Sequence, residues 1–147
     1  MKKAPKIFII EDNPYNLKLY KEVFSAHGFE VLSVETIEGD LPGIIAECDP
    51  DIISMDLMLQ GSSLSSEVDG FEAIERLKGD LRTYEIPIVV LTSFFEDKKV
   101  QRAKELGVVD FITVSGLEIQ KVPETFLRYL DNPKRYKPVH PLFRKGT

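Results

Sequence analysis

Three carboxylates and one hydroxyl stand where short apolar runs end. Glu11 and Asp12 follow Ile7–Ile10, Asp56 follows Ile52–Met55, and Thr92 closes Ile88–Leu91. If these runs are parallel strands of an open sheet, their carboxyl ends line one crevice, and adjacent first and third strands bring Glu11, Asp12 and Asp56 together. Clustered carboxylates repel one another and take up protons unless a cation compensates. A hard divalent ion with oxygen ligands suits them, and Mg²⁺ typically combines a few carboxylates with waters and phosphate oxygens. The Thr92 hydroxyl would point into the same crevice as a donor. The chemistry implied is an acidic cradle beside phosphate.

The elements that must position these groups follow from patterning. Short apolar runs alternate with amphipathic stretches, with Gly, Pro, Asn or Asp at most junctions, the rhythm of repeated β-α units. Expected strands are Lys6–Ile10, Glu30–Val34, Asp51–Met55, Ile86–Thr92 and Val108–Thr113. Three are almost continuously apolar, as in a parallel sheet covered on both faces. Asn13-Pro14 supplies an N-cap with Pro at the first helical position, Leu17, Tyr20, Phe24 and His27 recur at helical spacing, and Gly28 stops the first helix. A second helix is expected over Asp40 to Cys48 despite Pro42 and Gly43. Asp69 and Glu72 resemble a capping box for a third helix that Gly79 closes. Asp97 opens a fourth, with Val100, Ala103 and Leu106 on one face and Gly107 behind them. Ile119, Val122, Phe126, Tyr129 and Leu130 mark the last, with Pro123 in its first turn or kinking it.

Composition narrows the class. The chain has 147 residues, 43% of them hydrophobic, and a formal charge of −5. That length suits one globular domain with a core that needs no metal or disulfide staple. Cys48 is the only cysteine, which excludes an intrachain disulfide and a multi-thiolate zinc site and fits a cytoplasmic setting. The apolar run Ile7–Ile10 is too short for a signal peptide or a membrane span. The charge divides unevenly. Residues 132–147 carry Lys134, Arg135, Lys137, Arg144 and Lys145 and no acid, leaving 14 bases against 24 acids, or −10, on residues 1–131. An acidic domain of that kind argues against nucleic-acid binding by the domain itself.

Phe8-Ile9-Ile10-Glu11-Asp12-Asn13 through Leu17, Asp51-Ile52-Ile53-Ser54-Met55-Asp56-Leu57, Asp69-Gly70-Phe71, Ile86-Pro87-Ile88-Val89-Val90-Leu91-Thr92-Ser93 and Ala103 to Phe111 resemble, in order, the receiver domain of two-component response regulators. The resemblance runs from about Lys6 to Asp131. It implies a doubly wound α/β fold, a five-stranded parallel sheet of order 2-1-3-4-5 in a flavodoxin-like three-layer sandwich. Receivers are themselves standard examples of this strand order, which is therefore carried over from the family. The resemblance divides the chain into a receiver domain, 1–131, and a basic, Pro-rich C-terminal tail, 132–147. It further implies a stand-alone response regulator that takes a phosphoryl group from a histidine kinase or phosphotransfer protein and signals by binding a downstream protein target.

By that resemblance Asp56 matches the phosphoacceptor, Glu11 and Asp12 the Mg²⁺-binding acids together with Asp56, the main-chain carbonyl of Met58 a further metal ligand, Thr92 the switch hydroxyl, and Phe111 a candidate aromatic switch. Catalysis would extend at most to the chain's own aspartyl phosphorylation and dephosphorylation. A homodimer through the face of helices four and five follows by the same analogy. Two features depart from the family. Val114 and Ser115 stand where the family usually has Lys followed often by Pro, with Lys98 or Lys99 as candidate substitutes and Lys121 farther along. The segment 61–67, rich in serine, replaces the usual short loop after the acceptor strand, with Gln60 before it where many members have Pro.

Other readings remain beside this one. A single Asp at a strand end is ordinarily a cap or a solvated loop residue; only the ordered set reads as a site. A receiver-like interaction module that phosphorylation does not switch is the alternative that Val114 motivates. A metal-dependent phosphohydrolase would need a second acid where Met58 stands, and a nucleotide-binding flavodoxin-like protein would need a Gly-rich cradle where Glu11-Asp12-Asn13-Pro14 stands. His27, Cys48 and His140 read as packing or solvated residues. The basic tail reads as a solvated extension, with Tyr136, Leu142 and Phe143 keeping open, as the second choice, a docking arm onto a partner or one folded back on its own domain.

Overall fold

The computed structural model describes residues 3–37, 39–57, 70–93, 96–114 and 118–144. Its strands are β1 (Lys6–Ile10), β2 (Glu30–Val34), β3 (Ile52–Met55), β4 (Ile88–Thr92) and β5 (Asp110–Thr113), and its helices α1 (Pro14–Ala26), α2 (Leu41–Cys48), α3 (Gly70–Lys78), α4 (Asp97–Glu105) and α5 (Val122–Asp131). A 3₁₀ turn, Ile119–Lys121, leads into α5, and another, Pro141–Phe143, lies in the tail. All strand pairs are parallel and the order is β2-β1-β3-β4-β5. This is the doubly wound, flavodoxin-like arrangement expected. No helix among the described residues is long and apolar enough to cross a membrane.

The apolar runs are continuous because both faces of the sheet are covered. In β1, Phe8 and Ile10 join Ile53, Met55, Val90 and Phe111 against α2, α3 and α4, while Ile7 and Ile9 join Ile52, Val89, Leu91 and Ile112 against α1 and α5. Alternate residues thus serve two separate cores, as period-two side-chain direction requires. Phe24 of α1 anchors the second core, edge-on to Phe29 at 5.2 Å and to Phe126 of α5 at 5.0 Å.

Caps explain the helix starts. Asn13 Oδ1 accepts from the amides of Tyr15 at 2.9 Å and Asn16 at 3.1 Å, and Pro14 occupies the first helical position, where no N–H is needed. In α2 the Asp40 carboxylate accepts from Gly43 N–H at 3.2 Å, so Pro42 and Gly43 lie in the first turn rather than interrupting the helix. Pro123 likewise sits in the first turn of α5 and does not kink it. Strands β4 and β5 start two residues later than the apolar patterning suggests. Pro87 has no N–H to give to a ladder, although its carbonyl still accepts from Ile53 at 2.9 Å.

The tail corrects the sequence-based expectation of a solvated extension. Residues 132–144 lie against the domain, with Val139 packed on the core beneath α1 and α5 and Phe143 on the core beneath α4. Composition gives no hint of this because the anchor is an acid elsewhere in the chain. The buried Asp110 carboxylate accepts from Tyr136 Oη at 2.5 Å, Val139 N–H at 2.6 Å and His140 N–H at 3.1 Å.

Candidate functional site

Strand register assembles the acids. Ile10 of β1 pairs with Met55 of β3, so the next residues, Glu11 and Asp56, emerge side by side at the carboxyl end of the sheet. Backbone bonds hold them there: Asp56 N–H donates to Ile10 O at 3.1 Å and Glu11 N–H to Val34 O at 3.3 Å. Carboxylate oxygens of Glu11, Asp12 and Asp56 lie within 4.8 Å of one another. They line a cavity of about 350 Å³ with Asn13, Pro14, Asn16 and Ser93. Glu11 and Asp56 are buried, and Asp12 is half-buried.

Gly70 keeps the floor of this site in place. It opens α3 directly over the backbone of Asp56. A Cβ there would overlap the Asp56 carbonyl oxygen and stand 2.7 Å from Leu57 Cα. The glycine of the Asp69-Gly70-Phe71 motif is thus explained by close approach of a helix to the backbone at the end of β3.

Burial, the hydrogen bond with Asp56 and that residue's charge push the Glu11 carboxyl up to about 8. A buried carboxylate pair without a compensating cation retains a proton in this way. Tyr20, inward on α1, is raised above the ordinary tyrosine value by burial first and by Glu11 and Asp56 next. Its apolar spacing on α1 pointed only to core packing, and no sequence signal tied it to the acids. Asn16 and Ser93 also reach the cavity, with no pattern in the sequence to mark them. A cluster of three hard-oxygen donors fits Mg²⁺, and Glu11, Asp12 and Asp56 are the described side chains that would hold it.

The remaining expected residues fall as follows. Thr92 ends β4, buried, one residue before Ser93 at the cavity, and pairs with Thr113 of β5. Phe111 is buried in the core beneath α4, its ring 6.0 Å from that of His140. Val114, which the resemblance sets against the usual lysine, packs on the core beneath α1 and α5. Neither candidate substitute lines the acidic cavity: Lys98 is exposed, and Lys99 pairs with Glu96 at 3.7 Å. Lys121 is exposed in the turn before α5. Met58, Gln60, the segment 61–67, Asp69 and Ser115 lie outside the described residues.

Residues 7–115 match the family model for the response regulator receiver domain. The chain belongs to that family. As a receiver it is 30% identical over 125 residues to the polar-differentiation response regulator DivK of Brucella ovis, covering 84% of this chain and 94% of that relative. Among solved structures it is similar to the BeF₃-activated N-terminal receiver domain of Klebsiella pneumoniae RstA, with TM-score 0.69 and 28% identity over 84% of this chain and 95% of that one. It also shares the fold of a two-component response regulator of the LuxR family from an Aurantimonas species, with TM-score 0.76 and 19% identity over 95% and 92% of the two chains. Receiver domains generally bind Mg²⁺ at an acidic pocket, the kind of pocket that Glu11, Asp12 and Asp56 form here.

Proposed function

We propose that this receiver accepts a phosphoryl group from a histidine kinase or phosphotransfer protein on Asp56 and signals by binding a downstream protein in the cytoplasm. The observation that carries the reading is the meeting of Glu11, Asp12 and Asp56 at the junction of β1 and β3. Asp56 supplies a carboxylate oxygen as the nucleophile toward phosphorus, held by the β3 backbone and by the Gly70 contact below it. Mg²⁺, when bound, neutralises charge on the phosphoryl oxygens. Glu11 and Asp12 hold their carboxylates toward that position, and Glu11 gives up its proton as the site is charged. The Met58 carbonyl is assigned as a further ligand by family resemblance. Thr92 is the hydroxyl that answers the added charge, and Phe111 the ring whose packing changes with it.

The chain is not a conventional enzyme in this reading; its chemistry stops at its own aspartyl phosphate. The division at residues 131/132 stands as part of the proposal, as does a homodimer through α4 and α5, which requires the tail to leave that face. The test is transfer of radiolabel from a phosphohistidine on a histidine phosphotransfer protein. Label should appear on the wild type in a base-labile, acyl-phosphate form and be lost in Asp56→Asn.

One observation favours a second reading. Val114 fills the lysine position with an apolar side chain, and no cationic side chain lines the acidic cavity among the described residues. A receiver-like module that binds partners without phosphoswitching would retain full partner affinity in Asp56→Asn.

A further inference from the structure

The tail runs from the end of α5 across the edge strand β5 to α4. Tyr136 meets Tyr129 of α5 edge-on at 5.4 Å, Val139 lies on one core, and Phe143 lies on the other, the core that contains Phe111 and Val100. One buried carboxylate fixes this path. Asp110 Oδ2 accepts from Tyr136 Oη at 2.5 Å and Val139 N–H at 2.6 Å, and Oδ1 from Phe111 N–H at 2.8 Å and His140 N–H at 3.1 Å. Three of its four donors are tail groups, so lifting the tail strands a buried charge until water enters.

The segment also braces itself. Arg144 Nε donates to Pro138 O at 2.9 Å and a terminal guanidinium nitrogen to Val139 O at 3.2 Å, closing a loop around His140. The His140 ring then stands 6.0 Å from Phe111 and 6.0 Å from Phe143, roofing the Phe111 ring. A chain end attached only by apolar contact would slide. This one is registered residue by residue on a polar anchor.

We propose that residues 133–144 are an autoinhibitory strap, seated on Asp110, that closes the α4–β5–α5 edge to protein partners and holds Phe111 inward until it lifts. None of these contacts involves the acidic cavity, so the strap stands or falls independently of phosphoryl transfer to Asp56. An uncovered strand edge next to apolar side chains is a ready docking surface, and closing it gives the strap a purpose beyond packing.

The experiment is amide hydrogen exchange on the full chain, joined to hydroxyl-radical footprinting of the Phe111 and Tyr129 rings, for wild type and Tyr136→Phe. The variant keeps the ring and removes one donor to the carboxylate. Expected in the wild type are slow, matching exchange at Val139, His140 and Phe111 and low ring reactivity. In Tyr136→Phe these three amides should speed up together by about 10- to 100-fold, the range for losing a hydrogen bond to a charged group. Ring reactivity should rise, with β1 and β3 amides unchanged. Phe143→Ser provides a second route to the same release that removes none of the four donors to Asp110 from the chain. Unprotected Val139 and His140 amides in the wild type would overturn the proposal. So would a tail that opens in both variants while Phe111 keeps its protection and low reactivity.

Discussion

Lowering stability by raising pH is the unusual consequence of the Glu11–Asp56 pair, and Glu11→Gln isolates it. Glu11 is 2% exposed and its carboxyl is raised from an ordinary 4.5 to about 8, by burial first and by Asp56 next. Between those values the folded protein binds more protons than the unfolded chain, so unfolding free energy falls as pH rises. At about 1.36 kcal/mol per pH unit, the ceiling of the loss is about 5 kcal/mol. Sharing of the proton with Asp56 and entry of water reduce the expected loss to about 2–3 kcal/mol between pH 5 and 8.5. Urea unfolding in EDTA across that range measures it. Glu11→Gln should flatten the slope and be more stable than wild type at pH 8, and Mg²⁺ should restore wild-type stability there by displacing the proton. An equal slope in wild type and Glu11→Gln would refute the reasoning.

Other perturbations test the scaffold and the departure from the family. Gly70→Ala drives a methyl into the Asp56 carbonyl, and chemical denaturation should show a loss of about 1–3 kcal/mol together with weaker Mg²⁺ binding by calorimetry. Phe24→Ala removes the ring joining α1, α5 and Phe29 and should cost about 3–5 kcal/mol in the same assay without moving the acids. Val114→Lys should place an ammonium near the acceptor and raise the initial rate of acyl-phosphate formation by about 10-fold, one charge-assisted contact in the transition state.

How much was legible depends on where the determining contacts lie. Strand order came with the family resemblance; the acid cluster was readable because Glu11-Asp12 and Asp56 each follow an apolar run, and the β1–β3 register then brings them together. The cap at Asn13 was readable because local backbone chemistry fixes it, whereas Pro123 was open between the first turn and a kink until α5 placed it in the first turn. Pro42-Gly43 reads as an interruption in sequence, and only the bond from Gly43 to Asp40 turns it into a first turn. A folded-back tail was open as an alternative, but its anchor was not readable: Asp110 sits inside a run that patterning gives to β5, and its partners Tyr136, Val139 and His140 lie 26 to 30 residues away. The influence of Glu11 and Asp56 on Tyr20 was hidden for the same reason, since helical spacing records burial and not the neighbour across the interface.

Intact mass after treatment with a small phosphodonor, with and without Mg²⁺, tests the central claim most directly. A single phosphoryl increment that requires Mg²⁺ and disappears in Asp56→Asn is the predicted result. An unmodified chain under conditions that label an ordinary receiver, or an increment that survives in Asp56→Asn, would contradict it.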